Sequence, residues 1–271
     1  MTDVRKYLRE WAMPTVLCPG CAHGIVLHAF LDAMDKMGID PDKMAMVAGI
    51  GCSSRLVGYV DVCTLHTTHG RAPAFATGLK LARPDLEVVV ITGDGDGLAI
   101  GGNHLIHAAR RNVNMTIMLF NNGIYGMTGG QVAPTAALGA KGTTAPYGNT
   151  ETPFDPCKLM IGAGASFVAR AMASNPHMLT DVIVKAMSHR GLSFIEVMST
   201  CPEYYGRYNE IGGGPEMLAW ISRQDGSVAG ALADKRSVNH VPAPPQIAGL
   251  STGVLFTEDR PVFTGKLEVK V

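Results

Sequence analysis

The sequence contains little charge and no excess of either sign. Charged residues make up 17% of the 271 residues, against about 25% in an average soluble protein. Lysine plus arginine equals aspartate plus glutamate at 23 each, and no basic run or basic-aromatic stripe occurs, which argues against nucleic-acid binding. A surface so poor in charge is expected to be partly covered by a partner, although a large core is the simpler alternative.

The sequence also lacks a membrane segment. No apolar run approaches the ~20 residues that a membrane helix needs. The charged N-terminus, MTDVRKYLREWAMP, does not contain the apolar region of a signal peptide. These absences predict a cytoplasmic protein, in whose reducing environment the six cysteines are ligands, nucleophiles or core residues rather than disulfides.

Short apolar runs alternate with helical patterns along the chain. Strands are predicted over 44–50, 86–92, 113–120, 166–171 and 192–198, and helices over 21–37, 72–82, 103–111 and 176–190. This alternation predicts an α/β fold in which a doubly wound parallel sheet carries helices on both faces. We expect a main domain over 1–224 and a C-terminal extension over 225–271.

Two segments do not follow this alternation. Residues 131–154, rich in threonine, glycine and proline, are predicted to form a long loop that acts as a lid or a docking surface. The sequence VPAPPQ (241–246) in the extension is typical of an extended linker.

An acidic turn and an asparagine pair each follow a predicted central strand. GDGDG (93–97) comes after the strand over 86–92, and Asn121-Asn122 comes after the strand over 113–120. Because the carboxyl ends of parallel strands meet at one edge of a sheet, Asp94 and Asn122 should lie close together. Their oxygens suit a hard cation such as Mg²⁺.

A dinucleotide-binding turn is the first alternative for this segment. It requires glycine at the first, third and sixth positions, but the sixth residue from Gly93 is Leu98. Asp94 and Asp96 would repel a diphosphate unless a cation lay between them. We therefore expect a magnesium-diphosphate site; two aspartates that only form an Asx turn are the structural alternative. Of the two, Asp94 lies nearer the strand end, so Asp94→Ala should abolish cofactor binding and Asp96→Ala should not.

Four cysteines occupy positions that suggest a shared site. Cys18 and Cys21 form a CxxC turn, and Cys52 and Cys201 each follow a predicted strand. Four thiolates at one sheet edge could bind zinc or an iron-sulfur cluster, and the spacing alone does not exclude zinc. Cys63 and Cys157 have no such placement and are expected to be spare thiols.

Several motifs occur in a characteristic order: CPGC (18–21), GIGCSSR (49–55), HTTHGRA (66–72), GDGDGLAIGGNH (93–104), NNGIYGMTGGQ (121–131) and Cys201-Pro202. Together they resemble the β subunit of the 2-oxoacid:ferredoxin oxidoreductases, which are thiamine-diphosphate enzymes, and in particular the 2-oxoglutarate branch. The 28-residue step from Asp94 to Asn122 falls in the spacing usual for that family. The resemblance covers about residues 18–206.

The resemblance implies a thiamine-diphosphate-binding domain of the diphosphate type, with Mg²⁺ held by Asp94, Asn122 and the main chain of Ile124. It further implies a [4Fe-4S] cluster on Cys18, Cys21, Cys52 and Cys201. The cofactor contacts that it implies are Ile50, Gly51, Cys52, Ser53, His69, Gly93, Asp94, Gly95, Asp96, Asn122, Tyr125, Gly126, Met127 and Thr128.

The implied reaction is the oxidative decarboxylation of 2-oxoglutarate to succinyl-CoA and CO₂, with electrons passing to ferredoxin, or its reverse. Arg55 is the candidate for gripping a substrate carboxylate, with Met127 as a further substrate contact and His69 as a catalytic hydrogen-bond donor. Each residue has a structural alternative: Arg55 as a surface arginine, and His69 in a structural hydrogen bond.

The glutamate that activates the pyrimidine ring is expected on a partner α subunit, in a heterodimer or a dimer of heterodimers, because the chain shows no second doubly wound pattern. Three alternatives remain open. The first is a β subunit specific for pyruvate or another 2-oxoacid. The second is a thiamine-dependent decarboxylase or synthase without electron transfer, and the third is a non-catalytic electron-transfer subunit.

Overall fold

The computed structural model describes residues 4–226 and 250–264. A seven-stranded sheet forms the centre, with the strand order β2-β1-β3-β4-β8-β7-β9. The strands are β1 (Met44–Ala48), β2 (Cys63–His66), β3 (Glu87–Gly93), β4 (Met115–Asn121), β7 (Phe167–Met172), β8 (Leu192–Met198) and β9 (Gly253–Thr257). A separate two-stranded ribbon pairs β5 (Ile124–Tyr125) with β6 (Gln131–Val132).

The sheet is parallel from β2 through β7, and β9 adds an antiparallel strand beside β7. The strands β1, β4, β7 and β8 are buried at every position, as expected for strands covered on both faces. Their sequences are nearly continuous apolar runs for the same reason. The predicted doubly wound α/β fold is confirmed.

Helices cover both faces of the sheet. They are α1 (His23–Met37), α2 (Ala72–Ala82), α3 (Gly102–Arg111), α4 (Pro156–Gly162), α5 (Pro176–Ser188) and α6 (Gly214–Ser222). One core cluster contains the buried faces of α1, α5 and α6, and the other contains those of α2, α3 and α4. Small residues let α1 and α5 approach closely, and Thr180 Oγ1 donates a hydrogen bond to the carbonyl of Ala29 across this contact (3.3 Å).

Each strand and helix predicted from the sequence is present, with its ends within two residues of the expected ones. The elements β2, α4, α6, β9 and the β5–β6 ribbon were not predicted. Residues 250–264 pack against the sheet through β9 and through the hydrogen bond from Leu250 N–H to the carbonyl of Gln224 (2.9 Å). The division at 224 into domain and extension stays a prediction, and the predicted linker over 241–246 lies outside the described residues. No described helix combines the length and the apolar character that crossing a bilayer requires.

The long loop after β6 is held against the core. Ala136, Ala137 and Ala140 are buried, and Lys141 N–H donates to Asn209 Oδ1 (2.8 Å). The loop therefore forms one side of the region above the carboxyl ends of the strands, where the predicted ligands lie.

Candidate cofactor site at the carboxyl edge of the sheet

Asp94 follows β3 directly and is 3% exposed. Its Oδ1 accepts a hydrogen bond from Gly95 N–H (2.9 Å), and its Oδ2 accepts from Gly123 N–H (2.8 Å) and from Thr135 Oγ1 (2.7 Å). Burial raises the pKa of Asp94 to about 6, although these three donors favour the carboxylate. Asp94 thus joins the end of β3, the turn after β4 and the long loop. The contact from Thr135 was not predicted, because nothing in the sequence links it to Asp94.

The two asparagines after β4 have different surroundings. Asn122 lines the space beside Asp94, and its Oδ1 accepts from Ile124 N–H (3.1 Å). Asn121 is buried and donates from Nδ2 to Glu196 Oε1 (2.7 Å) in β8. Because β3 and β4 are parallel neighbours in register at Gly93 and Phe120, Asp94 and Asn122 meet at the sheet edge as the sequence predicts.

Asp96 is also buried, but its partners are structural. Its Oδ1 accepts from Ile50 N–H (3.2 Å) and Gly70 N–H (2.7 Å), and its Oδ2 accepts from Thr92 Oγ1 (2.6 Å). His69 Nδ1 lies 2.6 Å from the same Oδ1, although the imidazole is not aligned for a hydrogen bond. Asp96 therefore fastens the segments after β1 and β2 to β3, and it lies beside the His69 ring.

All the predicted cofactor contacts line one cleft, which we call the cofactor cleft, with about 480 Å³ of unfilled space. No lysine or arginine is among the described residues that line it. An anionic diphosphate in this cleft needs a positive charge, and the oxygen groups that could hold a cation beside it are those of Asp94, Asn122 and the main chain of Ile124. The donor set therefore fits a diphosphate that binds together with a divalent cation.

Two lining residues were not predicted, His23 and Phe120. The imidazole of His23 is buried, packs edge-on against Phe120 with ring centroids 5.2 Å apart, and makes no hydrogen bond within the described part of the chain. Burial lowers its pKa to about 4, so the ring is neutral. Its position two residues after the CPGC motif was the only sequence signal that pointed to the site.

The four predicted cysteines line a second cavity, which we call the cysteine cavity. It shares His23, Cys52, Asn122, Gly126 and Met127 with the cofactor cleft. A methyl group at Gly126 would lie 3.4 Å from Cys52 Sγ and 3.5 Å from Cys201 Sγ. The two cavities therefore meet at a shared wall that includes Gly126.

The thiols in this cavity are partly buried and surrounded by main-chain donors. Backbone N–H groups of His23, Met127, Tyr204 and Tyr205 lie near the sulfurs of Cys21, Cys52 and Cys201 and lower the pKa of these thiols. Burial, followed by repulsion from the other thiols, raises the pKa of Cys21 to about 12, and burial also raises the pKa of Cys52 and Cys201. A cationic metal centre would reverse this preference and stabilise the thiolates.

The spacing of the sulfurs bears on the choice between zinc and a cluster. Among the described residues, only Asp155, Cys157 and Glu196 bring three possible metal-ligand atoms within 4.8 Å of one another. No three of the four cavity sulfurs therefore lie that close together. A single zinc ion with Zn–S bonds of about 2.3 Å would hold four sulfurs roughly 3.8 Å apart. The wider spacing fits a cluster in which each iron carries one thiolate.

The remaining predicted residues are divided between the two cavities. Arg55, on the 3-10 helix Ser53–Gly58, is exposed and lines the cysteine cavity rather than the cofactor cleft. Met127 is 45% exposed and lines both. Cys63 is exposed on β2, and Cys157 is buried with its Sγ 3.3 Å from Glu196 Oε2.

The group Asp155, Cys157 and Glu196 is not a vacant metal site. Arg170 lies between the two carboxylates, with its NH2 2.8 Å from Asp155 Oδ1 and its Nε 2.6 Å from Glu196 Oε2. The guanidinium therefore supplies the positive charge that a metal would otherwise provide.

Comparisons with known proteins agree with this geometry. Residues 45–197 match the family described as "Thiamine pyrophosphate enzyme, C-terminal TPP binding domain". The chain is 56% identical over 216 residues to 2-oxoglutarate synthase subunit KorB of Methanothermobacter marburgensis, covering 80% of this chain and 76% of the relative. It is 44% identical over 189 residues to the 2-oxoacid:ferredoxin oxidoreductase subunit beta of Saccharolobus solfataricus, covering 69% and 62%.

A solved structure is similar over nearly the whole chain. It is 2-oxoglutarate:ferredoxin oxidoreductase from Magnetococcus marinus with 2-oxoglutarate, coenzyme A and succinyl-CoA bound. The TM-score is 0.78 at 36% identity, and the match covers 97% of this chain and 87% of the other.

Proposed function

Because the chain belongs to the 2-oxoacid:ferredoxin oxidoreductase β subunits within the thiamine pyrophosphate enzymes, we propose that it is the β subunit of a CoA-dependent 2-oxoglutarate:ferredoxin oxidoreductase. The complex converts 2-oxoglutarate and coenzyme A to succinyl-CoA and CO₂ and reduces ferredoxin, or runs in reverse to fix CO₂. Relatives 54–56% identical to this chain carry the name 2-oxoglutarate synthase, which supports the choice of substrate.

The observation that carries this proposal is the wall shared by the two cavities. A thiamine-dependent decarboxylase without electron transfer needs the cofactor cleft but has no use for four cysteines beside it. An electron-transfer subunit needs the cysteines but not the cleft. The chain places Cys52, Gly126 and Met127 in the walls of both, which suits an enzyme that removes electrons where the carbon-carbon bond is cleaved.

In the cofactor cleft, Asp94, Asn122 and the carbonyl of Ile124 would hold Mg²⁺, and the turn over 125–128 would contact the diphosphate. When bound, thiamine diphosphate supplies a carbanion that cleaves the bond to the substrate carboxylate, and an iron-sulfur cluster accepts electrons one at a time. The protein holds the diphosphate end through the magnesium ligands, while the buried walls of the cleft limit the access of water.

Cys18, Cys21, Cys52 and Cys201 would carry a [4Fe-4S] cluster. Support comes from the common cavity, the spacing of the sulfurs and the backbone donors to three of them. Such N–H to sulfur contacts are known to tune the potential of iron-sulfur centres. Cluster iron carried only by a partner subunit is the alternative that iron analysis of this chain tests.

Arg55 and Met127 would recognise the substrate. The guanidinium of Arg55 can grip a carboxylate through two parallel hydrogen bonds, and a dicarboxylate such as 2-oxoglutarate has a second carboxylate to offer it. Met127 lines the cysteine cavity together with Arg55 and also lines the cofactor cleft. His69, whose Nδ1 lies beside Asp96 Oδ1, would donate a hydrogen bond from the rim of the cleft.

A partner α subunit would complete the site. No glutamate is among the described residues that line the cofactor cleft, so the glutamate that activates the thiamine ring has to come from elsewhere. The relatives that are named β subunits also indicate a partner. We propose a heterodimer or a dimer of heterodimers with ferredoxin as the electron acceptor; the cytoplasmic location stays a prediction.

The decisive experiment is to co-express the chain with its α subunit without oxygen and to measure dye reduction by 2-oxoglutarate and by pyruvate, each with and without coenzyme A. We expect coenzyme A-dependent activity that favours 2-oxoglutarate, and iron and sulfide in the isolated β chain. A preference for pyruvate would reassign the substrate. Activity without dye reduction would favour a decarboxylase, and iron without thiamine diphosphate binding would favour an electron-transfer subunit.

A further inference from the structure

We propose that Asn121, the asparagine that faces away from the cofactor cleft, is a positioning residue for the magnesium ligands. Together with Glu196 it fixes the turn that carries Asn122 and Ile124. The inference rests on the proposed function, because it assumes that these two residues bind the metal.

The first step is the contact of Asn121 with the turn. Gly123 N–H is shared between Asn121 Oδ1 (3.2 Å) and Asp94 Oδ2 (2.8 Å). One main-chain donor therefore couples the orientation of the Asn121 amide to that of the carboxylate predicted to bind Mg²⁺. Asn122 lies between Asn121 and Gly123 in the chain, so its position depends on both contacts.

The second step is the backbone of Gly123. Its φ is +73°, in the left-handed region that favours glycine. A methyl group at this position would come within 2.7 Å of the ring of Tyr205. The turn is thus held sterically from the side of Tyr205 and by hydrogen bonds from the side of Asn121 and Asp94.

The third step is the anchor on β8. Asn121 Nδ2 donates to Glu196 Oε1 (2.7 Å), and Glu196 Oε2 accepts from Arg170 Nε (2.6 Å). Glu196 is 1% exposed and Arg170 is 4% exposed. Because a buried carboxylate has to be paired and hydrogen-bonded, Glu196 favours keeping its contacts with both Arg170 and Asn121.

The network therefore holds the turn that carries Asn122 and Ile124 in the same way that residues hydrogen-bonded to metal ligands hold those ligands in known metal sites. Such partners fix the orientation of the coordinating groups, and their loss typically lowers metal affinity 10–100-fold. The contacts run from Arg170 in β7, next to the edge strand of the sheet, through Glu196 in β8 to Asn121 in β4. They lie outside the motifs that bind the cofactor, except for Asn121 itself.

The test exchanges the amide and the carboxylate of the buried pair formed by Asn121 and Glu196. Asn121→Asp keeps the shape of the side chain but places an oxygen 2.7 Å from Glu196 Oε1, where the amide donor was. Glu196→Gln in the same chain restores a donor, since the new amide can donate to the carboxylate introduced at position 121 while its oxygen still accepts from Arg170. The total charge of the pair is unchanged in the double variant.

The measurement is calorimetric titration of Mg²⁺ into the αβ complex with thiamine diphosphate present at a fixed concentration. We expect Asn121→Asp to raise the Kd for Mg²⁺ about 10–100-fold and the double variant to regain most of this loss. Cys157→Ser, which keeps a donor to Glu196 on the side away from Asn121, is the matched control and should bind Mg²⁺ like the wild type.

The metal-free melting temperature and the visible spectrum of the iron-sulfur centre separate positioning from folding. Unchanged values in Asn121→Asp, with weakened Mg²⁺ binding and rescue in the double variant, support the proposal. Wild-type Mg²⁺ affinity in Asn121→Asp, or a double variant no better than the single one, overturns it. If the wild-type complex itself fails to bind Mg²⁺ and thiamine diphosphate, the proposed function fails instead.

Discussion

The cofactor cleft and the cysteine cavity lie side by side on the same sheet edge but are held in different ways. In the cleft, the oxygen ligands are fixed by hydrogen bonds from several segments: Asp94 accepts from three donors, and Asn122 accepts from the main chain of Ile124. In the cavity, the sulfurs are held mainly by backbone position, with main-chain N–H groups directed at them.

This difference matches the groups that each region is proposed to bind. A small hard cation demands near-ideal geometry and short bonds, so its ligands profit from being fixed in advance. A larger cluster of soft atoms imposes its own geometry on the thiolates, and the protein has only to leave room for it. Gly126 lines both regions, and because it has no side chain it leaves space for a bound group in each.

Asp94→Ala is expected to have the largest effect on the cofactor cleft while leaving the cysteine cavity unaffected. This variant should lose binding of magnesium and thiamine diphosphate and all turnover, because Asp94 is the carboxylate that contacts the Asn122 turn, while the iron content stays that of the wild type. Calorimetry with the cofactor and iron analysis measure the two effects.

Asp96→Asn is the matched control for Asp94→Ala. It can still accept from Gly70 and Ile50, so it should retain the cofactor; Asp96→Ala is a poorer control, since it would leave those donors unpaired at a cost of about 1–3 kcal/mol. Retention of the cofactor by Asp94→Ala would refute the assignment of the magnesium site.

Cys201→Ser is expected to have the opposite effect: it should impair the cysteine cavity and leave the cofactor cleft unaffected. Loss of one thiolate should remove most of the iron and the dye-reducing activity, whereas the cofactor cleft keeps its ligands and should still bind magnesium and thiamine diphosphate. Cys63→Ser, at an exposed thiol on β2, should change neither. A Cys201→Ser complex with full iron content would place the cluster on the partner subunit.

A narrower effect is expected at Arg55, which lines the cysteine cavity but not the cofactor cleft. Charge-assisted hydrogen bonds are worth about 1.5–3 kcal/mol, so Arg55→Ala should raise the KM for 2-oxoglutarate about 10–100-fold and leave iron and cofactor binding unchanged. Arg55→Lys should fall between the two, because an ammonium cannot bind a carboxylate through two parallel hydrogen bonds. An unchanged KM in steady-state kinetics would remove Arg55 from the substrate site.

The smallest effect, and the one that tests the shared wall, is expected from Gly126→Ala. The added methyl group makes ordinary contact with two thiol sulfurs, but it takes up space that a cluster between them would need. Overpacking of this kind costs about 1–3 kcal/mol, and we expect a several-fold loss of iron with little change in the melting temperature of the metal-free protein. Equal loss of magnesium binding and iron would mean that the two regions are not independent.

The sequence predicted the parts of the fold whose residues are buried on two sides. The runs that became β3, β4 and β8 are mostly apolar and buried along nearly their whole length, so a central strand is the structure that their sequences favour. The strands β2 and β9 were missed because they lie at the two edges of the sheet, where much of each strand is exposed and no periodic pattern develops. The helix α6 begins at Gly214-Pro215, a pair that looks like a loop when its capping by Glu216 is not visible.

The candidate site shows the same limit. Asp94, Asn122 and the four cysteines could be predicted because each follows a strand or forms a short motif. The partners that fix them could not, since Thr135 and Glu196 lie 41 and 75 residues from Asp94 and Asn121 along the chain. Only the folded sheet brings these side chains together.

The burial of the central strands also bears on how the site opens. Every residue of β4 and β8 is buried, so their amide protons should exchange with solvent only when the whole domain unfolds. The sheet that carries Asp94 and Asn122 should therefore stay folded when the cofactor is lost or regained.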